Sequence, residues 1–252
     1  VPVHYAGVAC DMDTINDIAD RHGLFVIEDA AQGMMSTYNE RALGSLGHMG
    51  AYSFHDSKNF TSGGEGGLLI LNHDRFIYRA EIIREKGTNR AQFNRGTSSK
   101  YTWVDIGSSF LASELQAAYL WGQLEQAEAV TDDRIALWQS YYTQFVELEK
   151  SENVELPAIP EECTHNGHMF YLKCRSLDER DALINHLKEL GILAVFHYVP
   201  LHTSPAGKRF GQFNGVDRYT TSGSKRLLRL PMWHGMPGTV QDEVVAAVKS
   251  FF

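Results

Sequence analysis

The sequence is poor in cysteine and proline, carries less basic than acidic charge, and has no long apolar run. Its three cysteines, Cys10, Cys163 and Cys174, are odd in number and form no C-x-x-C pair. That argues against a disulfide framework and fits a reduced, cytoplasmic protein. Lysine and arginine number 23 against 31 acidic residues, a formal charge of −8. Nucleic-acid binders ordinarily carry a basic face, so no nucleic-acid partner is expected. No apolar stretch approaches the length that spans a bilayer, and neither a signal peptide nor a membrane partner is expected. H-E-x-x-H, G-x-S-x-G and a complete G-x-G-x-x-G are all missing, which argues against zincin, serine-hydrolase and nicotinamide-binding readings.

What is present is an ordinary globular composition, 43% apolar and 21% charged over 252 residues. That is enough for one large domain or two unequal ones. The opening Val1-Pro2-Val3-His4-Tyr5-Ala6-Gly7 reads as a strand end and an active-site loop, so a preceding part of the first domain is expected outside this sequence.

Two stretches carry chemistry. The first is Ser53-Phe54-His55-Asp56-Ser57-Lys58-Asn59-Phe60-Thr61-Ser62-Gly63-Gly64-Glu65-Gly66-Gly67. Short apolar runs, Met49 to Phe54 and Leu68 to Leu71, flank it and predict buried strands. A lysine held where strands converge can be desolvated, and its amine is then neutral and nucleophilic, as imine formation requires. The plain alternative is a solvated loop lysine. The second stretch is Leu24-Phe25-Val26-Ile27-Glu28-Asp29-Ala30-Ala31-Gln32. Its apolar part predicts a strand over Leu24–Ile27, with Asp29 just past the end. Ligands of open α/β sheets sit outside the carboxyl ends of the strands. Pyridoxal phosphate chemistry needs this pair, a lysine and a carboxylate that keeps the pyridine nitrogen protonated. The alternative for Asp29 is a helix cap.

Together, Asp29-Ala30-Ala31-Gln32, Gly50-Ala51-Tyr52-Ser53-Phe54-His55 with Lys58, and Gly64-Glu65-Gly66-Gly67 resemble the DegT/DnrJ/EryC1/StrS family of sugar aminotransferases. The resemblance runs through nearly the whole chain. Tyr101 to Phe110 and Ser113 to Trp121 resemble the subgroup that acts on a dTDP-linked 4-keto-6-deoxy sugar. The resemblance implies an α/β, fold-type I pyridoxal-phosphate-dependent transferase. Its mixed-sheet large domain, lacking its N-terminal part, is followed by a small α+β C-terminal domain. It implies amino transfer from L-glutamate to a nucleotide-linked keto sugar. It also implies that Lys58 holds the cofactor and shuttles the proton, and that Asp29, Gln32 and Ser53 bind the cofactor. His55 and His202 would face the substrate. Many family members carry an asparagine where Ser109 stands, reaching the cofactor phosphate of a second subunit. Ser108 and Ser109 are the candidates here, in an expected homodimer. A sugar dehydratase on the same fold would replace the lysine with histidine, which Lys58 opposes. A non-catalytic member is the other alternative.

The residues allow plainer readings as well. His55 can be a packed strand-end histidine, and His197 and His202 ordinary loop histidines. His165-Asn166-Gly167-His168 has ligand-like spacing, but only Cys163 stands nearby to complete a set, so no metal is expected. Helices are predicted over Asp11–His22, Phe76–Lys86, Asp178–Leu190, Arg218–Leu228 and Val240–Phe251. Gly87–Lys100 reads as a loop or flap. Ala112 to Lys150 reads as two helices with a bend near Gly122. The expected divisions are residues 1–125 (cofactor-binding), 126–156 (bridging helix and linker) and 157–252 (small domain). The aromatics of 101–121 suit a subunit interface, or else the monomer core.

Overall fold

The computed structural model describes residues 1–252. The chain groups into two compact units, Val1–Thr131 with Pro160–His168, and Asp132–Ile159 with Met169–Phe252.

In the first unit, α1 (Met12–His22) buries Met12 and Ala19. Asp11 caps it by accepting the Thr14 N–H at 3.0 Å. Gly23 ends it in the left-handed region, φ 63°, which suits glycine. Ile18 is exposed. The next strand, β1, covers Ile27–Asp29 instead of Leu24–Ile27. The Val26 N–H is taken by His48 Nδ1 at 3.1 Å, so the ladder starts one residue later. A hairpin, β2 (Thr37–Tyr38) and β3 (Arg41–Ala42), precedes β4 (Met49–Ser53) and β5 (Gly67–Leu71). Strands β1 and β4 run parallel and β4 and β5 antiparallel, giving a mixed sheet in the order β1-β4-β5. Leu68 and Leu69 on β5 are exposed, because β5 has β4 as its one neighbour; the expectation of a buried strand fails there.

Helix α2 (Ile77–Arg84) buries Ile82, while Ile77 and Ile83 are exposed. The stretch expected as a loop after it contains a short helix, α3 (Arg90–Asn94). Arg95 fixes this turn with a bidentate bond to Glu81, at 2.5 and 2.7 Å. Such a polar anchor leaves no apolar period to read. Helix α4 (Glu114–Leu124) starts with a Ser113/Gln116 capping box, and α5 covers Ala127–Lys150. The break falls at 125–126, not at Gly122, which lies inside α4. Tyr101, Trp103, Phe110, Tyr119 and Trp121 are each more than half exposed, so they do not fill a core.

Strand β6 (Val154–Glu155) opens the second unit's sheet; β7 (Cys163–Thr164) instead pairs with β2 in the first unit. The chain therefore leaves the second unit after Ile159, returns to the first over residues 160–168, and resumes at Met169. There β8 (Phe170–Cys174), α6 (Leu177–Glu189), β9 (Val195–Phe196), α7 (Pro205–Phe210), α8 (Thr220–Arg226), β10 (Leu227–Leu230) and α9 (Gly238–Phe251) complete an α+β unit. Its sheet, β6-β8-β10-β9, is antiparallel throughout. Phe170, Leu172, Leu228 and Leu230 from the sheet pack on Tyr141 and Phe145 of α5 and on Leu183 and Leu187 of α6. Burying one such side chain stabilises the unit by about 1.5–3 kcal/mol. Ser176, not Asp178, caps α6, accepting the Glu179 N–H at 3.1 Å. Leu227 and Leu228, expected to end a helix, instead open β10, and β9 is only two residues long.

Candidate active site

The site begins at two neighbouring strand ends. In the parallel pair β1–β4, Asp29 stands opposite Ala51, and the Ala30 N–H donates to Ala51 O at 3.0 Å. Both strands point their carboxyl ends to the same edge, where open α/β sheets bind ligands. Glu28, one residue before Asp29, is fully buried. Its carboxylate accepts from the N–H groups of Gly44, Leu46 and Gly47 at 2.6–2.7 Å and contacts His4 Nε2 at 2.8 Å. Burial opposes charge on Glu28, but these donors outweigh it and hold the carboxyl below its ordinary range. One side chain thus ties the 44–47 loop and the start of the chain to β1.

Asp29 Oδ1 accepts the Ala31 N–H at 3.1 Å, a local turn bond. The second carboxylate oxygen has no partner in the chain. The turn bond is the kind the capping alternative requires, but residues 31–35 form a series of turns instead of a helix. The free oxygen leaves the cofactor role open to the same side chain.

Lys58 lies on a closed excursion between β4 and β5. Phe54 N–H bonds Gly66 O at 2.8 Å, and Ser62 N–H bonds Phe54 O at 2.9 Å. Buried Ser62 also donates toward Phe54 O and Glu65 O. Glycine is required at 66, since a Cβ there would sit 2.4 Å from Ser62 Oγ. Phe54 and Phe60 anchor the loop against Ala127 and Val130. Lys58 N–H bonds His55 O at 3.0 Å, while the residue is half-buried and its Nζ makes no hydrogen bond or ion pair. An amine in that setting is positioned to react, not to brace the fold.

Lys58, Ser53 and Gln32 line one open cleft, with Ala31, Met34, Asn59, Phe60, Asn166 and His168. Gln32 Oε1 accepts the Ala6 N–H at 2.7 Å. Asn166, absent from the sequence-based site, organises the far wall. Its Nδ2 donates to Gln32 O and Met34 O, both at 2.8 Å, and its backbone oxygen accepts from Asn59 Nδ2 at 3.0 Å. His168 Nδ1 lies 3.0 Å from Asn59 Oδ1. Gly7 packs on Asn166; a Cβ there would sit 2.2 Å from its Oδ1, and Gly7 has φ +78°. The 165–168 stretch, weighed from sequence only as a metal motif, here braces the lysine loop, and no group of three or more His, Cys, Asp or Glu gathers to hold an ion.

The other expected residues lie apart from this lining. His55 turns to its own loop, with Nδ1 2.8 Å from both Ser57 Oγ and Asp56 Oδ1. Ser109 bridges to Glu85 beside the end of α2 and is exposed. His202 belongs to the second unit, with Nε2 2.8 Å from Asp217 Oδ2 and its ring 4.4 Å from Phe213.

An amine, hydroxyl and amides in the cleft, with a carboxylate at the adjacent strand end, suit pyridoxal phosphate. They offer a primary amine, donors for a phosphate and an acceptor for a ring N–H. A mixed sheet with this lysine loop, followed by an antiparallel α+β unit, is the arrangement of fold-type I pyridoxal-phosphate-dependent transferases. The chain belongs to the DegT/DnrJ/EryC1/StrS aminotransferase family, whose model matches residues 1–249. It is 31% identical to the spore coat polysaccharide biosynthesis protein SpsC of Bacillus subtilis, covering 99% of this chain and 65% of that protein. It is 29% identical to a dTDP-3-amino-3,4,6-trideoxy-alpha-D-glucose transaminase of Streptomyces venezuelae, covering 100% and 62%. A DegT DnrJ EryC1 StrS aminotransferase from Brucella abortus superposes with a TM-score of 0.87 at 27% identity, over 99% of this chain and 63% of that one. The chain thus spans a little under two thirds of the length of these relatives. No helix is long and apolar enough to cross a membrane.

Proposed function

We propose that this chain carries the lysine-bearing part of a pyridoxal-phosphate-dependent aminotransferase that moves an amino group from L-glutamate to a nucleotide-linked keto sugar. The observation that carries the reading is Lys58 Nζ, unpaired on a cleft that also holds Ser53 and Gln32, with Asp29 at the neighbouring strand end. Pyridoxal phosphate, when bound, supplies a ring that takes up the electron pair left on carbon when a proton is removed.

The residues divide the remaining work. Lys58 holds the cofactor through Nζ and, once released, takes and returns the proton as general base and acid. The unpartnered oxygen of Asp29 accepts the pyridine N–H and keeps that nitrogen charged. Ser53 Oγ, which accepts the His55 N–H at 3.3 Å, keeps its own proton to donate to phosphate. Gln32, oriented through Oε1, borders the ring. Phe60 and Met34 exclude water beside the amine. His55 and His202 remain candidates on the sugar side.

Resemblance of residues 101–121 supports a dTDP-linked 4-keto-6-deoxy sugar, aminated to the 4-amino-4,6-dideoxygalactose of enterobacterial common antigen. The exposed aromatics of the same stretch support a homodimer in which Ser108 or Ser109 approaches the partner's cofactor phosphate. The test is an assay of the whole protein with L-glutamate and a panel of dTDP-linked 3-keto and 4-keto sugars. Amino transfer to 4-keto sugars is expected. Transfer only to 3-keto sugars overturns the sugar, and transfer to none overturns the function.

A further inference from the structure

The second unit's sheet has two chemically different faces. Val154, Phe170, Leu172, Cys174, Leu228 and Leu230 turn into the core, so Glu155, Tyr171, Lys173, Val195, Leu227 and Arg229 turn the other way. On that outer face Glu155 is shared by two cations, Lys173 and Arg226. Arg229 has no such partner. It stands opposite Tyr171 on one side and Val195 on the other, and its guanidinium lies 5.3 Å from the centre of the Tyr198 ring. Its Nε is buried with no hydrogen bond, and no carboxylate or carbonyl of the chain accepts from the rest of the fork.

An arginine whose Nε is cut off from water and meets no acceptor in the chain keeps an unmet donor, and a planar five-donor fork matches carboxylate and phosphate oxygens. The surroundings select for an anion. The Tyr171 hydroxyl, on the directly paired residue, makes no hydrogen bond in the chain and is a second donor. Burial, and then Glu155, push its pKa up, so it keeps its proton. His197 is held neutral, its pKa pushed down to about 4 by burial and then by Arg229. The one acidic group on this face, Glu155, is already engaged by two cations, so the charge of Arg229 is uncompensated.

We propose that Arg229, with Tyr171 beside it and Tyr198 against its guanidinium, anchors a binding site for a small oxyanion, the carboxylate or phosphate group of a small-molecule ligand. The site lies wholly within the second unit and does not depend on the proposed function. Arg229 fixes the anion by paired N–H donors, and Tyr171 adds an O–H.

Phenylglyoxal labelling with mass mapping, at low ionic strength, reads the site directly. Inorganic phosphate and L-glutamate are the two probes. Labelling of Arg229 is expected to slow about tenfold once a probe stands at ten times its Kd, while Arg226, held by Glu155, is unaffected. Protection by phosphate alone identifies a phosphoryl ligand, and protection by glutamate alone a carboxylate. Calorimetric titration should show R229Q weakening the protecting anion about tenfold or more, with R229K retaining part of the affinity. Absence of protection by both probes overturns the proposal, as does R229Q binding as tightly as wild type. The labelling arm uses unmodified protein and stands even if R229Q fails to fold.

Discussion

The side-chain amide of Asn59 is gripped from both ends by the returning segment: Oδ1 meets His168 Nδ1 at 3.0 Å, and Nδ2 meets the backbone oxygen of Asn166 at 3.0 Å. The residue next to Lys58 is thereby fixed by groups more than a hundred positions away in sequence. The lysine's own amine stays unencumbered while its loop is held.

The first prediction follows from that brace. Asn166→Ala removes the donor that satisfies Gln32 O and Met34 O. Leaving two carbonyls without it should cost about 2–4 kcal/mol of stability. Urea unfolding measures this directly. A loss within about 0.5 kcal/mol, the range of ordinary surface changes, would show that the brace is not structural.

Lys58→Ala should abolish amino transfer, since no other amine lines the cleft. Because Nζ makes no hydrogen bond or ion pair in the fold, the midpoint of unfolding of the cofactor-free protein should barely move. Borohydride reduction and peptide mass mapping of the wild type should tag Lys58; a tag on another lysine sinks the assignment.

Asp29→Asn separates the two roles of that side chain. The amide oxygen can still accept the Ala31 N–H, so the local turn and the fold should persist. It cannot keep a pyridine nitrogen charged, so kcat should fall by roughly two orders of magnitude or more. Near wild-type kcat in this variant would leave Asp29 as a turn-former only.

Asp29 and Lys58 were legible in the sequence because each sits in a short motif that follows an apolar run. Asn166 and His168 were not, since a polar loop carries no periodicity to say where it docks. Glu28 was hidden for the opposite reason. It ends an apolar run, and nothing in the spacing announces that three loop N–H groups and His4 will converge on it. The fold class was readable, but the edges of the elements were not. β10 follows α8 without a loop, so its alternation begins where a helical period was still being counted. The exposed faces of α2 and β5 carry isoleucines and leucines that sequence alone assigns inward.

The last prediction concerns acid. His197 is partly buried, and burial together with Arg229 pushes its pKa from the usual 6.5 down to about 4. Between those values the unfolded chain takes up a proton that the folded chain refuses. The stability tied to neutral His197 is therefore fully present above pH 6.5, and falls as pH drops through that window towards about 4. By linkage the loss reaches on the order of 3 kcal/mol at the lower end. Partly buried His165, whose pKa burial also lowers, acts in the same direction, so the comparison must be between wild type and His197→Gln. The variant should lose less stability between pH 7 and pH 4.5 in urea unfolding. NMR titration of the His197 ring should give a midpoint well below 6.5, and Arg229→Gln should raise it by removing the nearby charge. A wild-type midpoint near 6.5 would mean that neither burial nor Arg229 controls this histidine.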